Sequence, residues 1–200
     1  RRSSDLLKVL AVDVVNDLAL LQTDYQPEQR FHLEIKSPAQ GATIYSLGNP
    51  HDLGMIVVPG TYNGLQKFGY YPRIHFTGAV NSGMSGGPVV DSAGNIVGVN
   101  VASAGNQLGF LVPVKALSEL LARAAEQKQL SNDQQSIAKQ LQESQAKMFE
   151  PILAATWQLK EFGIGKIPDE VVPFVRCWGE SNVEKEREAL KQVQAFCSQS

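Results

Sequence analysis

Up to about residue 113 the chain alternates short apolar runs with glycine, proline, asparagine and aspartate. "FHLEIK", "ATIYSLG", "GMIVVPG", "RIHFTGAV", "GPVVD", "NIVGVNVA" and "LGFLVPV" are rich in β-branched and aromatic residues. Their regular spacing predicts the strands of an antiparallel barrel or sandwich. "DSAGN", Asp91 to Asn95, separates two of these runs and predicts a hairpin turn with Gly94 at positive φ. After Pro113 the period changes. Leu117, Leu120, Leu121 and Ala124 recur at helical spacing. Ser131 followed by Gln134 predicts a capping box that opens a polar helix, with Ile137, Leu141 and Met148 on one side. Pro151 predicts a bend before a third helix in "ILAATWQLKEF". "GIGKIPDEVVP" reads as a connector, and "SNVEKEREALKQVQAF" predicts a last helix opened by Ser181 or Asn182. The expected order is β-rich, then α-rich.

Composition narrows the function classes only a little. Two hundred residues hold one generous domain, or a domain and an appendage. The 43% hydrophobic and 19% charged fractions are those of a soluble globular chain. A net charge of −2 gives no reason to expect nucleic acid or an anionic membrane as partner. No apolar run is long enough to cross a bilayer. The chain opens "RRSSDLLKVL" without a methionine and without a signal peptide, which leaves its natural start open. Its two cysteines, Cys177 and Cys197, form no CxxC or Cys/His cluster, so neither a metal site nor a cofactor is expected. A disulfide between them is the sharper reading and two separate buried thiols the plainer one. The disulfide would favour an exported compartment, periplasmic or secreted.

Chemistry concentrates in "NSGMSGGPVV". Gly83-Met84-Ser85-Gly86-Gly87 formally satisfies G-x-S-x-G, the nucleophile elbow of α/β-hydrolases. That fold needs a histidine after the serine, and His32, His51 and His75 all precede Ser85. The other use of glycines around a serine is an oxyanion hole, with the backbone N–H groups of Gly83 and Ser85 aimed at one spot. Asp17 stands in a strongly apolar run, "VVNDLALLQTD". A buried carboxylate there needs a partner, and a catalytic histidine is a natural one.

"NDLALL" and "TGAVNSGMSGGPVVDSAGNIVGVNVA" resemble the aspartate and serine motifs of trypsin-like, chymotrypsin-fold serine proteases, closest to the bacterial HtrA/DegP branch. "YSLGNPHDLGMIVVPGTYNGL" and "QLGFLVPVKAL" resemble two further segments of that branch, and the likeness covers roughly residues 8 to 125. It implies a mainly β fold, a chymotrypsin-like antiparallel double β-barrel. Residues 1–125 would hold part of the first barrel and a complete six-stranded second barrel from about Phe31 onward. Residues 126–200 would form an α-helical C-terminal extension, serving oligomerisation or a protein partner.

The resemblance also implies roles. Asp17 would orient a histidine, Ser85 would attack a peptide carbonyl, and Gly83 and Ser85 would supply the oxyanion hole. Ala79, Val101, Ala102 and Ser103 would bind a polypeptide substrate. No acidic residue matches the base of the specificity pocket, so small or aliphatic side chains are expected there. Met84 stands where the family more often has Asp or Asn, with a side chain expected to point away from the chemistry. The family's histidine lies upstream of the aspartate, and none of the sixteen residues before Asp17 is a histidine. The base is therefore expected in an N-terminal segment outside this sequence. The competing reading is a catalytically inactive module that binds or scaffolds through its helical tail.

Overall fold

The computed structural model describes residues 6–105, 107–126, 134–163, 165–182 and 192–199. Strands β1 (Leu6–Asp13) and β2 (Leu18–Thr23) pair as an antiparallel hairpin. Six further strands follow: β3 (Thr43–Gly48), β4 (Ile56–Leu65), β5 (Ile74–Thr77), β6 (Pro88–Val90), β7 (Ile96–Ser103) and β8 (Gly109–Pro113). They close into a barrel in the order β3-β4-β5-β8-β7-β6, and every pairing is antiparallel. Closure removes the free edges that an open sheet would leave. Helices α1 (Val114–Glu126) and α2 (Gln134–Ala154) come next.

The barrel core is filled by inward-facing positions of these strands and by Met84 from the connection between β5 and β6. Ile44, Phe76, Met84, Val89 and Leu111 have no solvent exposure. Phe76 needs its neighbours to be glycine, because a Cβ at Gly60 or Gly78 would collide with its ring. The Asp91–Asn95 turn forms as expected. Asn95 donates its N–H to the Asp91 carboxylate at 2.9 Å, and Gly94 takes φ +84.

Three expectations need correction. The barrel opens at Thr43 and not near Phe31. "FHLEIK" contributes only a bridge between Leu33 and Ile96, with Phe31 and Ile35 exposed. The prolines at 27 and 38 bracket it and limit ladder formation. Pro151 does not start a third helix: α2 runs through it to Ala154. Residues from Leu159 instead form a hairpin of β9 (Leu159–Phe162) and β10 (Gly165–Pro168). Phe162 pairs with Gly165, and Gly163, which follows Phe162, holds φ +59, a conformation glycine adopts freely. The predicted last helix is also overturned where it can be compared. Strands β11 (Val175–Ser181) and β12 (Val193–Gln199) pair antiparallel, so Ser181 and 193–196 are strand. Residues 183–191 of that segment, and Ser131 of the capping box, lie outside the described residues.

The described residues form two compact units. One runs to Gln66 and takes in Tyr71–Gln142, and the other joins Lys67–Tyr70 to the residues from Glu143 onward. Within the second unit, Cys177 and Cys197 sit directly opposite each other in β11 and β12 and are disulfide-bonded, with Cα atoms 4.1 Å apart. Tyr70 meets Phe174 edge-on at 5.0 Å and donates its hydroxyl to the Ser144 carbonyl at 3.1 Å.

Candidate active site

The connection from β5 to β6 carries the serine. It is a tight double turn: Met84 N–H donates to the Asn81 carbonyl at 3.1 Å, and Gly87 N–H to the Met84 carbonyl at 3.0 Å. Gly83 and Gly86 hold φ +92 and +80, so a side chain at either would be strained. Gly83 has no room either, since a Cβ there would stand 2.7 Å from the Asn49 carbonyl oxygen. Met84 plugs the core beneath the turn, fully buried, and so points away from the exposed Ser85 as expected.

Asn100 locks the turn to its surroundings. Its backbone carbonyl accepts Gly86 N–H at 2.8 Å, and its N–H donates to the Gly87 carbonyl at 3.0 Å. Its buried side chain accepts the Ser46 hydroxyl at 2.9 Å. Ser85 Oγ lies 3.5 Å from the Val101 carbonyl oxygen, a long contact that leaves the hydroxyl loosely held. The N–H groups of Gly83 and Ser85 donate to no other described residue.

Asp17 departs from its expected setting. It is exposed, at φ +59, in the turn between β1 and β2. The buried carboxylate of this stretch is Asp13, 5% exposed. It accepts the N–H of Asn16 at 3.0 Å and the Asn16 side-chain amide at 3.1 Å. Arg123 of α1 neutralises it at 2.7 Å. Asp13 thus builds the turn that presents Asp17. The run is not one buried strand: Asp17 stands at its turn, and the strand that follows keeps a solvated face, with Leu21 49% exposed. Gln140 of α2 ties down the other side of the hairpin, donating to the Val12 carbonyl at 3.1 Å and accepting Val14 N–H at 3.3 Å. Asp13 and Gln140 escaped sequence reasoning, although the Asp13–Asn16 spacing is that of an Asx turn.

Arg73, just before β5, is a second cation at this turn, its guanidinium 3.5 Å from Asn16 Oδ1. Burial pushes its pKa below the ordinary arginine value, against the opposing pull of Asp17, Tyr71 and Asp13.

Asp17 and Ser85 come together. Both line one cleft of about 310 Å³, whose walls include Leu18, Pro88, Val99, Val101 and Leu117. Ala79, Ala102 and Ser103 are exposed and lie outside that lining. No histidine lines it. His51 is exposed at φ 52, His75 is half-buried on β5 opposite Phe110, and His32 is exposed, its carbonyl accepting the Ile96 N–H at 2.7 Å. Among the described residues no group of three or more metal-binding side chains occurs.

The family model of the trypsin-like peptidase domain matches residues 5–99, which include both Asp17 and Ser85. Over this span, just under half of its length, the chain is similar to a trypsin-like peptidase domain. The chain is similar to Protease Do-like 1, chloroplastic, of Arabidopsis thaliana, 27% identical over 130 residues that cover 57% of this chain and 30% of the relative. It is also similar to the periplasmic serine endoprotease DegP of Salmonella typhimurium, 28% identical over 143 residues, 65% of this chain and 30% of DegP. Among solved structures, the HtrA-type protease AlgW with decapeptide superposes with a TM-score of 0.55 and 28% identity, over 60% of this chain and 40% of AlgW. The chain therefore spans under a third of the length of these two curated relatives.

Proposed function

We propose that this chain supplies the nucleophile, the oxyanion hole and the orienting carboxylate of a serine endopeptidase, and that a histidine from polypeptide outside this sequence completes the triad. One observation carries the reading: Asp17 and Ser85 line the same cleft, beside a serine turn whose Gly83 and Ser85 N–H groups are engaged by no other described residue. In the reaction the histidine takes the proton from Ser85 Oγ as the Oγ–C bond forms. The carbonyl electron pair moves onto oxygen, which the two N–H groups stabilise. The tetrahedral intermediate then expels the amine, which takes the proton from the imidazolium, and water hydrolyses the acyl ester by the same steps. Asp17 holds the imidazole in the tautomer that accepts from Ser85.

Polypeptide is the substrate this chemistry serves. The end of β7, Val101 to Ser103, is the proposed pairing edge for the substrate backbone, with Ala79 and Val101 beside a small or aliphatic side chain. The disulfide and the likeness to a periplasmic DegP support a periplasmic or secreted location. Residues 1–125 would act as the protease portion and 126–200 as its extension.

The test is a fluorophosphonate probe. The full-length protein should label at Ser85, and Ser85→Ala should abolish labelling. Asp17→Asn should slow it by about four orders of magnitude. This chain expressed alone should label negligibly, because a serine hydroxyl without a base is a weak nucleophile. The absence of a histidine from the cleft lining favours a second reading, a protease fold kept as a binding or scaffold module. Failure of the full-length protein to label would establish that reading. Full-rate labelling of the isolated chain, lost on His51→Ala, would overturn the external base.

A further inference from the structure

Strand β6 leaves the serine turn between two neighbours, β7 on one side and β3 on the other. Both run antiparallel to it, so the ends of both β3 and β7 flank Ser85. The end of β7 is the proposed acyl-side edge. The end of β3 continues into Asn49–Gly54, and this segment packs directly on the turn. His51 N–H donates to the Ser82 carbonyl at 3.4 Å, and the Asn49 carbonyl abuts Gly83.

The segment is fixed in shape. Asn49 Oδ1 accepts Gly54 N–H at 2.8 Å, and Asn49 Nδ2 donates to Asp52 at 3.2 Å. His51 and Asp52 both hold positive φ, 52 and 59, a left-handed conformation costly for residues with a Cβ. On this braced loop and the strand entry after it, the chain exposes apolar side chains: Leu53 is 83% exposed, Met55 71% and Val57 61%. A braced, strained segment that keeps large apolar groups in water beside a nucleophile fits a surface with an occupant.

We infer that Leu53 and Met55 form the binding shelf for the residues C-terminal to the scissile bond, and select substrates with a bulky apolar side chain there. The inference rests on the peptidase reading. A substrate chain laid along β7 places its scissile carbonyl over Ser85, and the leaving half of the chain then passes over the Asn49–Gly54 loop. Apolar side chains of that half would cover Leu53 and Met55 and remove both surfaces from water.

The experiment digests a peptide library with the full-length protein, with Leu53→Ser/Met55→Ser, and with Ser85→Ala as the blank, and sequences the new N-termini. Wild type should enrich Leu, Met, Ile and Phe within the first residues after the cut. The double variant should lower that enrichment by about tenfold, the scale of an apolar contact of this size. Preferences before the cut should stay unchanged. Cleavage with an unaltered C-terminal-side preference in the double variant overturns the inference and leaves the peptidase reading standing. So does a change in oligomeric mass without a change in cleavage pattern, which would make the shelf a contact between copies. No cleavage by wild type overturns both.

Discussion

Ile44, Phe76 and Leu111 of the barrel are fully buried, whereas Trp178 and Phe196 of the β11–β12 hairpin are 53% and 47% exposed. Both regions are antiparallel sheet. The barrel closes on itself and buries one face of all six strands at once, so apolar packing alone can hold it. Among its described residues the C-terminal unit has two separate two-stranded sheets, a form that is marginal in water without further support. Its support is a covalent bond at Cys177–Cys197, a stacked Trp178–Phe196 pair at 6.2 Å, and Arg176 lying 4.2 Å over the Phe68 ring. Where a sheet cannot wrap a core, the chain has substituted cross-links and ring contacts for burial.

The comparison breaks most easily at Phe76. Phe76→Ala should destabilise the barrel by about 4 kcal/mol, since it empties a site that two glycines keep open for the ring. Far-UV circular dichroism in a urea titration should register the loss. The chain's only tryptophans, Trp157 and Trp178, both lie in the C-terminal unit and give that unit its own optical signal.

Cys177→Ser/Cys197→Ser should remove about 3 kcal/mol from the C-terminal unit, as expected for opening a loop of 20 residues' separation. Tryptophan fluorescence should therefore shift to lower urea while the barrel transition stays in place. A barrel transition that moves equally would erase the distinction drawn above.

Arg123→Ala should cost about 2 kcal/mol. It leaves the Asp13 carboxylate buried without its cation, but Arg123 itself is 44% exposed, which lowers the loss below the ~3–5 kcal/mol of a fully buried pair. Restoration by Arg123→Lys, followed by urea titration, would tie the loss to charge.

The smallest effect belongs to Asp91. Desolvation acts to raise its pKa, yet the hydrogen bonds from Asn95, Ala93 and Gly94 together outweigh it and hold the carboxyl below the usual aspartate range. A depressed pKa contributes stability above the unfolded value of ~3.9, and that contribution is lost as pH falls through the folded value. Asn95→Ala should move the Asp91 carbon resonance titration upward toward the ordinary range and soften the acid limb of the barrel only slightly.

The serine turn and the β6–β7 hairpin were legible because glycine and aspartate leave unambiguous local signals there. The C-terminal unit was not. Leu159–Phe162 carries two charges in four residues, and Val193–Gln199 continues a run of helix-forming residues, so local propensity pointed to helix. Pairing partners decided otherwise: β9 pairs with the adjacent β10, and β12 with β11, which lies across the residues between Ser181 and Val193. Asp17 was legible as a residue and illegible as an environment. Its exposure depends on Asp13, Asn16 and Arg123 gathered from a turn and a distant helix.

The closed barrel also dictates how this protein must be made. Its closure joins Tyr45 to Val90 and Ile74 to Leu111, pairings that no local hairpin can supply. Chains dominated by such distant contacts fold in roughly milliseconds to seconds, and loop entropy must be met before the contacts reward it. During that interval β3 and β6 lack each other and present open edges that a second nascent chain could pair with. Yield on expression should therefore fall with rising temperature and synthesis rate. A folding chaperone that shields strand edges should recover it.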